Sequence, residues 1–515
     1  MTKDTFSDPS SKAMEFLAIA DHFKLGFLPT ESQHPDTLDL GQWARHDLTK
    51  GVAALKTIDV GVLRKIADQG DDIARLREAV TTTLNAGGDI YFYGCGATGR
   101  LSLSLEYLWR FSQDNDALSE RVRGFMSGGD LALVHSIESF EDHPEWGARQ
   151  VDEIGFGGND LMIGITEGGE TPSVIGATKR AAEISWRQPF FLYCNPEEAL
   201  QNIDRSRAIL ADPMIENLYL NTGPMALSGS TRMQATTAQM LLAGAALMDI
   251  SADQIADFAD FVEKSDFSFL DTFIEKEANI YQNGDYVLYE ADEYAITVMT
   301  DTTERAPTFS LRGFENQHDP ERKPSLSYIF LPHAHNSTDA WRRILKREPE
   351  GLEWDDLNGT ASQSRLLGFD FSQAAKGQRE NLIAPAGQSI FRIARQDGRL
   401  HFNLDDLHHD IDISFIEHPL LEHIFLKMIL NTHSTLVMGR LGRYESNVMT
   451  WVKPSNYKLI DRAIRYVDHL LQRKGIDDAG YDYICQKLFE ETDRLQQDES
   501  IVLKTVQSVE NHLQR

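Results

Sequence analysis

Residues 89–108 read DIYFYGCGATGRLSLSLEYL. A short apolar run with strand character, Ile90–Tyr93, enters a Gly-x-Gly-x-x-Gly turn formed by Gly94, Gly96 and Gly99, and leaves it as a helical pattern. Glycines at those places let the backbone turn left-handed or approach a ligand closely. The amides of Ala97, Thr98 and Gly99 then lie at a helix N-terminus, where the dipole favours an anion. This spacing alone serves dinucleotides and phosphosugars alike. Against a dinucleotide stand Ser102 and Ser104 in the following helix, and no acidic residue ends a second strand about twenty positions on, as a ribose hydroxyl would want. The stretch reads as a phosphate site without NAD.

Outward from it, helical and strand patterns alternate: helix Asp72–Leu84, strand Ile90–Tyr93, helix from Arg100, strand Asp160–Ile165, helix from Pro172, strand Phe190–Tyr193. This rhythm predicts an α/β fold, a doubly wound parallel sheet flanked by helices, with ligands outside the carboxyl ends of its strands. GITEGGETP, Gly164–Pro172, also follows a strand and therefore shares that edge with GCGATGR. The second half repeats the first: Asp285–Tyr289 (DYVLY) matches Asp89–Tyr93 at an offset of 196 residues, which sets Glu290–Ile296 (EADEYAI) under the glycine turn. Every loop glycine is lost there, so the second repeat is predicted not to cradle a phosphate. Between Ser327 and His409 the match fades into a capped helix Ser337–Lys346, a strand RLLGFDFS (Arg365–Ser372) and a hairpin about Asp397 and Gly398. The expected organisation is an N-terminal arm (1–70), a first module (71–255), a degenerate second module (256–463) with a lid segment at 440–463, and a helical tail (464–515).

A length of 515 residues exceeds what one core supports. With 50 basic against 79 acidic residues the net charge is -29, which repels nucleic acid and anionic membrane; no partner of either kind is expected. Cys95, Cys194 and Cys485 are too few and scattered for a disulfide framework or a zinc site. No metal or organic cofactor is expected. MTKDTFSDPSSK is too polar for a signal peptide, and no run of about 20 apolar residues occurs, so the expectation is a soluble, cytoplasmic protein.

A second stretch, GPMALSGSTRMQATTAQMLLAGAALM (Gly223–Met248), together with GCGATGR and GITEGGETP, resembles the sugar isomerase (SIS) family. The resemblance is to the branch that holds N-acetylmuramic acid 6-phosphate etherase and glucokinase regulatory protein. LPTESQHPDTLDL (Leu28–Leu40) looks like its Thr-Glu-x-x-x-Pro arm, SIESFED (Ser136–Asp142) like its Glu-Gly-x-Glu-Asp segment, and Leu426–Ala463 like its closing helix and lid. The resemblance implies two SIS modules in one chain, as in the regulatory protein, acting as a monomeric pseudo-dimer or forming a homodimer. The etherase uses two identical subunits instead.

The resemblance also implies the site. Gly96, Ala97, Thr98 and Gly99 would hold the phosphate, with Thr166, Glu167 and Gly168 of the second loop beside it. Arg232 would pair with the phosphate or with Glu141, a structural ion pair being the alternative; Asn456 and Lys458 match lid residues that reach the sugar phosphate. Of the two glutamates thought to do acid and base work in the etherases, Glu141 matches one directly. The other falls at Leu108, and the repeat offset carries Leu108 onto Glu304 within DTTERAPTF, so Glu141 and Glu304 would form a pair across the module interface. Glu106 lies off register and reads as solvated or structural, Arg462 as structural and His433 as a satisfied core residue. Glu167 and Glu170 stand where relatives carry uncharged residues or Arg: either both face solvent, or one binds sugar hydroxyls.

The expected function is a phosphosugar-binding, lyase or etherase-like enzyme on an (N-acetyl)hexosamine 6-phosphate-type sugar, working by C2 proton abstraction. The alternative is a non-catalytic sugar-phosphate sensor regulating a protein partner such as a sugar kinase. An aldose-ketose isomerase is a weaker third reading, because the Ser-rich loops of those members are altered here.

Overall fold

The computed structural model describes residues 8–113, 115–137, 140–454, 456–477, 479–496 and 499–513. The first module holds strands β1 (Ile90–Gly94), β2 (Val122–Met126), β3 (Leu161–Ile165), β4 (Phe190–Tyr193) and β5 (Glu216–Tyr219), all parallel in the order β2-β1-β3-β4-β5. β1 and β3 are buried along their whole length, as strands of a sheet covered on both faces must be, which is why they read as continuous apolar runs. β2 and β5 were not visible in the sequence. Arg123 interrupts the first, and Glu216 and Asn217 open the second.

The second module contains β6 (Tyr286–Glu290), β7 (Ser327–Phe330), β8 (Gln388–Gln396), β9 (Arg399–Leu404) and β10 (Leu407–Asp412), in the order β10-β9-β8-β6-β7. The offset of 196 residues carries both ends of β1 onto both ends of β6. Both central strands have two parallel neighbours: β2 and β3 beside β1, β7 and β8 beside β6. Beyond that the copies part. Where the first sheet continues with parallel strands, β8 folds back through antiparallel β9 and β10, the first of these turns being the expected hairpin with Asp397 and Gly398 at positive φ.

RLLGFDFS is not a strand. Gln363–Leu367 form a short helix whose N-cap Ser362 accepts from the Arg365 amide, and the rest is a connection in which the Phe371 carbonyl accepts from Leu331 N at 2.8 Å. Alternating Phe369 and Phe371 imitate a strand period, but both are buried as loop anchors. The helix Ser337–Leu345 matches expectation, capped by the Asn336 side chain accepting from Asp339 N.

Between the modules lie α1 (Ala97–Ser112), α2 (Gln234–Leu247), α3 (Ala295–Phe309) and α4 (Pro419–Arg440). All of α2, and α4 from Leu420 to Gly439, are buried. Helices that are small or apolar on every side have no face to offer water, so they pack against each other at the centre with α1 and α3 around them.

The interface is also ionic. Arg232, at the start of α2, donates to Asp301 of α3 at 2.8 Å and to Ser434 and Thr435 of α4 at 3.0 and 2.6 Å. Arg305 bridges Asp301 and Glu277. Arg100 of α1 meets Glu304 of α3 at 2.6 Å. Each of these charges has an opposite partner, the condition for tolerating such charges in a core.

The arm and the closing segments wrap the first module. Thr37 Oγ1 donates to the Ala226 carbonyl at 2.8 Å, and Asn447 Nδ2 donates to Thr37 Oγ1 at 2.9 Å. The tail begins inside a helix, α5 (Tyr457–Arg473), which continues the lid segment past the expected boundary at 464. It is followed by helices Tyr481–Thr492 and Ile501–Leu513. Phe16 of the N-terminal helix stacks near Tyr457 and Phe489, joining arm to tail. No helix among the described residues is long and apolar enough to cross a membrane.

Candidate functional site

The glycine turn is built as its sequence requires. A Cβ on Gly94 would stand 2.4 Å from the Thr98 backbone, and one on Gly99 2.5 Å from Met126 Cβ, so these two glycines let α1 close against the sheet. Gly96 differs: its φ is +56° and nothing lies within 4 Å of a Cβ built there. It is the N-cap of α1 and leaves open space in front of the helix N-terminus. Thr98 does not offer a free hydroxyl. Its Oγ1 donates to the Cys95 carbonyl at 2.9 Å and accepts from the Cys95 amide at 3.0 Å, stapling the turn. A phosphate in this loop would therefore be held by amides.

The second loop follows β3. Thr166 Oγ1 is hydrogen-bonded to Thr171 Oγ1 at 2.9 Å and accepts from Gly169 N at 3.3 Å, while Gly168 O accepts from Asn195 Nδ2 at 3.2 Å. Asn195 also ties this loop to the arm, accepting from Thr30 N at 3.1 Å. Neither Glu167 nor Glu170 faces solvent; they are 7% and 3% exposed. Glu170 is held by Arg205 and by Lys458 Nζ at 2.7 Å. Burial opposes its charge, but Lys458 and Arg205 outweigh burial and bring its carboxyl down to about 2.

Lys458 is the hub. Its charge acts on Glu31 of the arm, Glu141 of the Glu-Asp segment, and Glu167 and Glu170 of the second loop. Chain segments far apart in sequence thus converge on one point at the carboxyl edge of the first sheet. Glu31 is bound by Arg462 and Arg465, whose charges overcome its burial and hold it below the usual carboxylate range. The structural reading of Arg462 is therefore met. Glu141 is not bonded to a cation among the described residues: Cys95 Sγ lies 3.8 Å from its Oε2, and burial pushes its carboxyl upward, aided by Asp142 and Glu170 and opposed by Lys458. Burial, then Glu141, raises the Cys95 thiol to about 12, which rules against a nucleophilic role. Glu138 and Ser139 of the Glu-Asp segment and Ser455 of the lid lie outside the described residues.

Three of the assigned residues have partners of their own. Arg232 takes its structural alternative, the module interface described above: both of its terminal nitrogens donate to Asp301, Ser434 or Thr435. Asn456 is the N-cap of α5, its Oδ1 accepting from Leu459 N at 2.9 Å. Glu304 is paired with Arg100 of α1, the helix that starts at the glycine turn. Glu106 is structural but not solvated, being 1% exposed between Arg110 and Arg347. His433 is buried as expected, with Nε2 3.6 Å from Glu277. The site residues that sequence reasoning passed over are Glu31 and Arg205. The first sits in a quoted motif without a role, and the second in a helix, Asp204–Leu210, with no local signal.

In the second module the corresponding loop carries carboxylates where the first has glycines. Glu290 pairs with Arg392, Asp292 lies 3.7 Å from His333 and 3.9 Å from Arg343, and Glu293 accepts from Arg395 N at 2.7 Å. These carboxylates repel an anion at the loop itself, while Arg392 and Lys376 border an open cavity beside it.

A domain model described as the glucokinase regulatory protein N-terminal SIS domain matches residues 72–182. N-acetylmuramic acid 6-phosphate etherase from Enterobacter sp. (strain 638) is 31% identical over 220 residues, covering 42% of this chain and 68% of that protein. The chain belongs to the SIS family, in its etherase and glucokinase regulatory protein branch. A second SIS relative, the etherase of Erwinia tasmaniensis, is 32% identical over 220 residues, 42% of this chain and 66% of its own length. Among solved structures of the SIS fold, tagatose-6-phosphate ketose/aldose isomerase from Escherichia coli is similar at a TM-score of 0.38 and 12% identity, over 80% of this chain and 98% of that one.

Proposed function

We propose that this SIS protein binds a hexosamine 6-phosphate-type sugar at the first module and acts on it as an etherase-like carbon-oxygen lyase. The observation that carries the reading is the convergence of arm, glycine turn, second loop, Glu141 and Lys458 on one edge of the first sheet, while the second module's equivalent loop has carboxylates in place of glycines. Amides at the N-terminus of α1 hold the phosphate, and Lys458 adds charge when the ligand draws it from Glu170.

Glu141 and Glu304 sit in unlike surroundings, one desolvated without a bound cation and the other ion-paired with Arg100, an inequality suited to dividing acid from base work. Glu304 takes the C2 proton, the C3–O bond breaks, and Glu141 protonates the departing oxygen; water then adds across the new double bond. The test is proton NMR in deuterium oxide with N-acetylmuramic acid 6-phosphate and hexosamine 6-phosphates. Deuterium should enter at C2 in the wild type and not in Glu304→Gln, which should keep its ligand.

Binding without exchange would refute the lyase and favour the second reading, a phosphosugar sensor acting on a kinase. That reading is supported by the regulatory-protein model over 72–182 and by the internal Lys458–Glu170 bond, which a ligand would have to release.

A further inference from the structure

The second module has lost the glycines of its turn, yet it sends a loop onto the first. After the helix Ser337–Leu345 the chain from Arg347 to Ala361 packs against the segment that leads from β2 to Glu141. Arg347 anchors its start: Nη1 and Nη2 donate to Asp130 at 2.6 and 2.8 Å, and the Glu350 amide donates to Asp130 Oδ2 at 2.7 Å. Leu352 then fills the space in front of Gly129, where a Cβ would stand 2.9 Å from Leu352 Cγ. Trp354 reaches the far end, beside Glu141. Its ring stacks on Phe140 with 5.6 Å between centroids and 25° between planes, and Trp146 meets Phe140 edge-on at 5.0 Å. Phe140 and Trp354 are 1% and 4% exposed and form, with Leu357 and Ala361, a small core built from both modules.

The indole is itself fixed. Trp354 Nε1 donates to Glu153 at 2.6 Å, the Arg149 guanidinium lies 4.0 Å from the ring centre, and both partners sit on the helix Pro144–Glu153 that follows Glu141. The loop closes through the Leu352 amide, which donates to the Ala361 carbonyl at 2.8 Å. Glu141 depends on such support. Among the described residues no cation is bonded to it, and its Oε2 lies 3.8 Å from Cys95 Sγ in the glycine turn. A carboxyl without an ion pair is aimed by the backbone that carries it, and Phe140 pins that backbone one residue away. We propose that Trp354 is a positioning residue, by which the second module holds Phe140 in place and keeps Glu141 against the glycine turn of the first. The role of Glu141 rests on the function proposed above; its placement by Trp354 does not.

Cys95 reports on this placement, because burial and then the nearby Glu141 suppress its thiolate. The test is alkylation of the full chain by iodoacetamide without ligand, read at each cysteine by peptide mass spectrometry. Cys194 and Cys485, both fully buried, are internal controls for general loosening. In Trp354→Ala, Cys95 should react about tenfold or more faster than in the wild type with both controls unmoved, since only the thiolate reacts and Glu141 has withdrawn. Trp354→Phe, which keeps a flat ring against Phe140, should restore the slow rate. An unchanged Cys95 in Trp354→Ala, all three cysteines quickening together, or Trp354→Phe reacting as fast as Trp354→Ala would overturn the role of Trp354. Should Trp354→Ala not fold, Trp354→Leu takes its place with the same expectations, since it too removes the flat face. With N-acetylmuramic acid 6-phosphate, Trp354→Ala should also lose turnover by about tenfold or more while keeping its affinity for inorganic phosphate, and turnover kept in full would count against the placement. A wild type without turnover would refute the lyase alone, and the thiol assay would still decide the placement.

Discussion

Lys458→Ala is expected to weaken phosphorylated ligands by a modest amount, and Glu170→Gln to strengthen them, because the lysine is already engaged. Glu170 stands at about 2 against an ordinary 4.5. That displacement corresponds to about 3 kcal/mol in favour of its ionised form, shared between Lys458 and Arg205. A phosphate that draws on Lys458 competes with roughly half of that stabilisation. The loss in Lys458→Ala should then lie near the low end for charged hydrogen bonds, about 1.5 kcal/mol or roughly tenfold. Glu170→Gln frees the lysine and should tighten phosphorylated ligands by a similar factor, with unphosphorylated sugars unmoved by either change. Calorimetry at pH 7 on matched pairs of sugar and sugar phosphate reads both. Equal losses on the two ligand classes, or weaker phosphate binding in Glu170→Gln, would refute the competition. The pair has a pH signature as well: its folded-state carboxyl lies below the unfolded value, so its contribution to stability is full above about pH 4.5 and is lost as pH falls toward about 2.

Gly96→Val, placed at φ +56°, should abolish binding of inorganic phosphate and sugar phosphates in a titration, whereas Asp292→Val in the second module should leave it unchanged; equal losses would show that both modules hold phosphate. Asp301→Ala strips Arg232 and Arg305 of a shared buried partner and should lower stability to denaturant by about 3–5 kcal/mol, while a loss under about 1 kcal/mol would mean the interface cluster is not energetically coupled. Asn456→Ala should cost about 1 kcal/mol of thermal stability through the lost cap of α5 and little affinity for phosphate; a large, phosphate-specific loss would return Asn456 to the ligand.

The glycine turn and the repeat were legible because both are local. A strand period of two and a position that only glycine fills comfortably are written in a few adjacent residues, and the same pattern 196 residues on finds β6 within one residue at either end. β2 and β5 were missed for the converse reason. They hold charged or amide side chains where the sheet edge admits them, and RLLGFDFS shows a strand period without a neighbouring strand to pair with.

The charges of the site follow a different logic, since each ion pair joins segments that sequence does not place together: Lys458 with Glu170 across 288 residues, Arg462 with Glu31 across 431. A motif can say that a cation stands near a turn, but tertiary closure decides which carboxylate claims it. That is how Arg232, offered to the phosphate by resemblance, becomes a strut between modules, while Arg205, without any motif, governs Glu170. It follows that the ligand-facing charge of this protein is a property of the closed arm, loop and lid together. Loosening any one of them would release Glu31 or Glu170 from its cations and leave an unpaired carboxylate beside the phosphate turn, so changes that open the arm should weaken phosphate binding even where they touch no ligand.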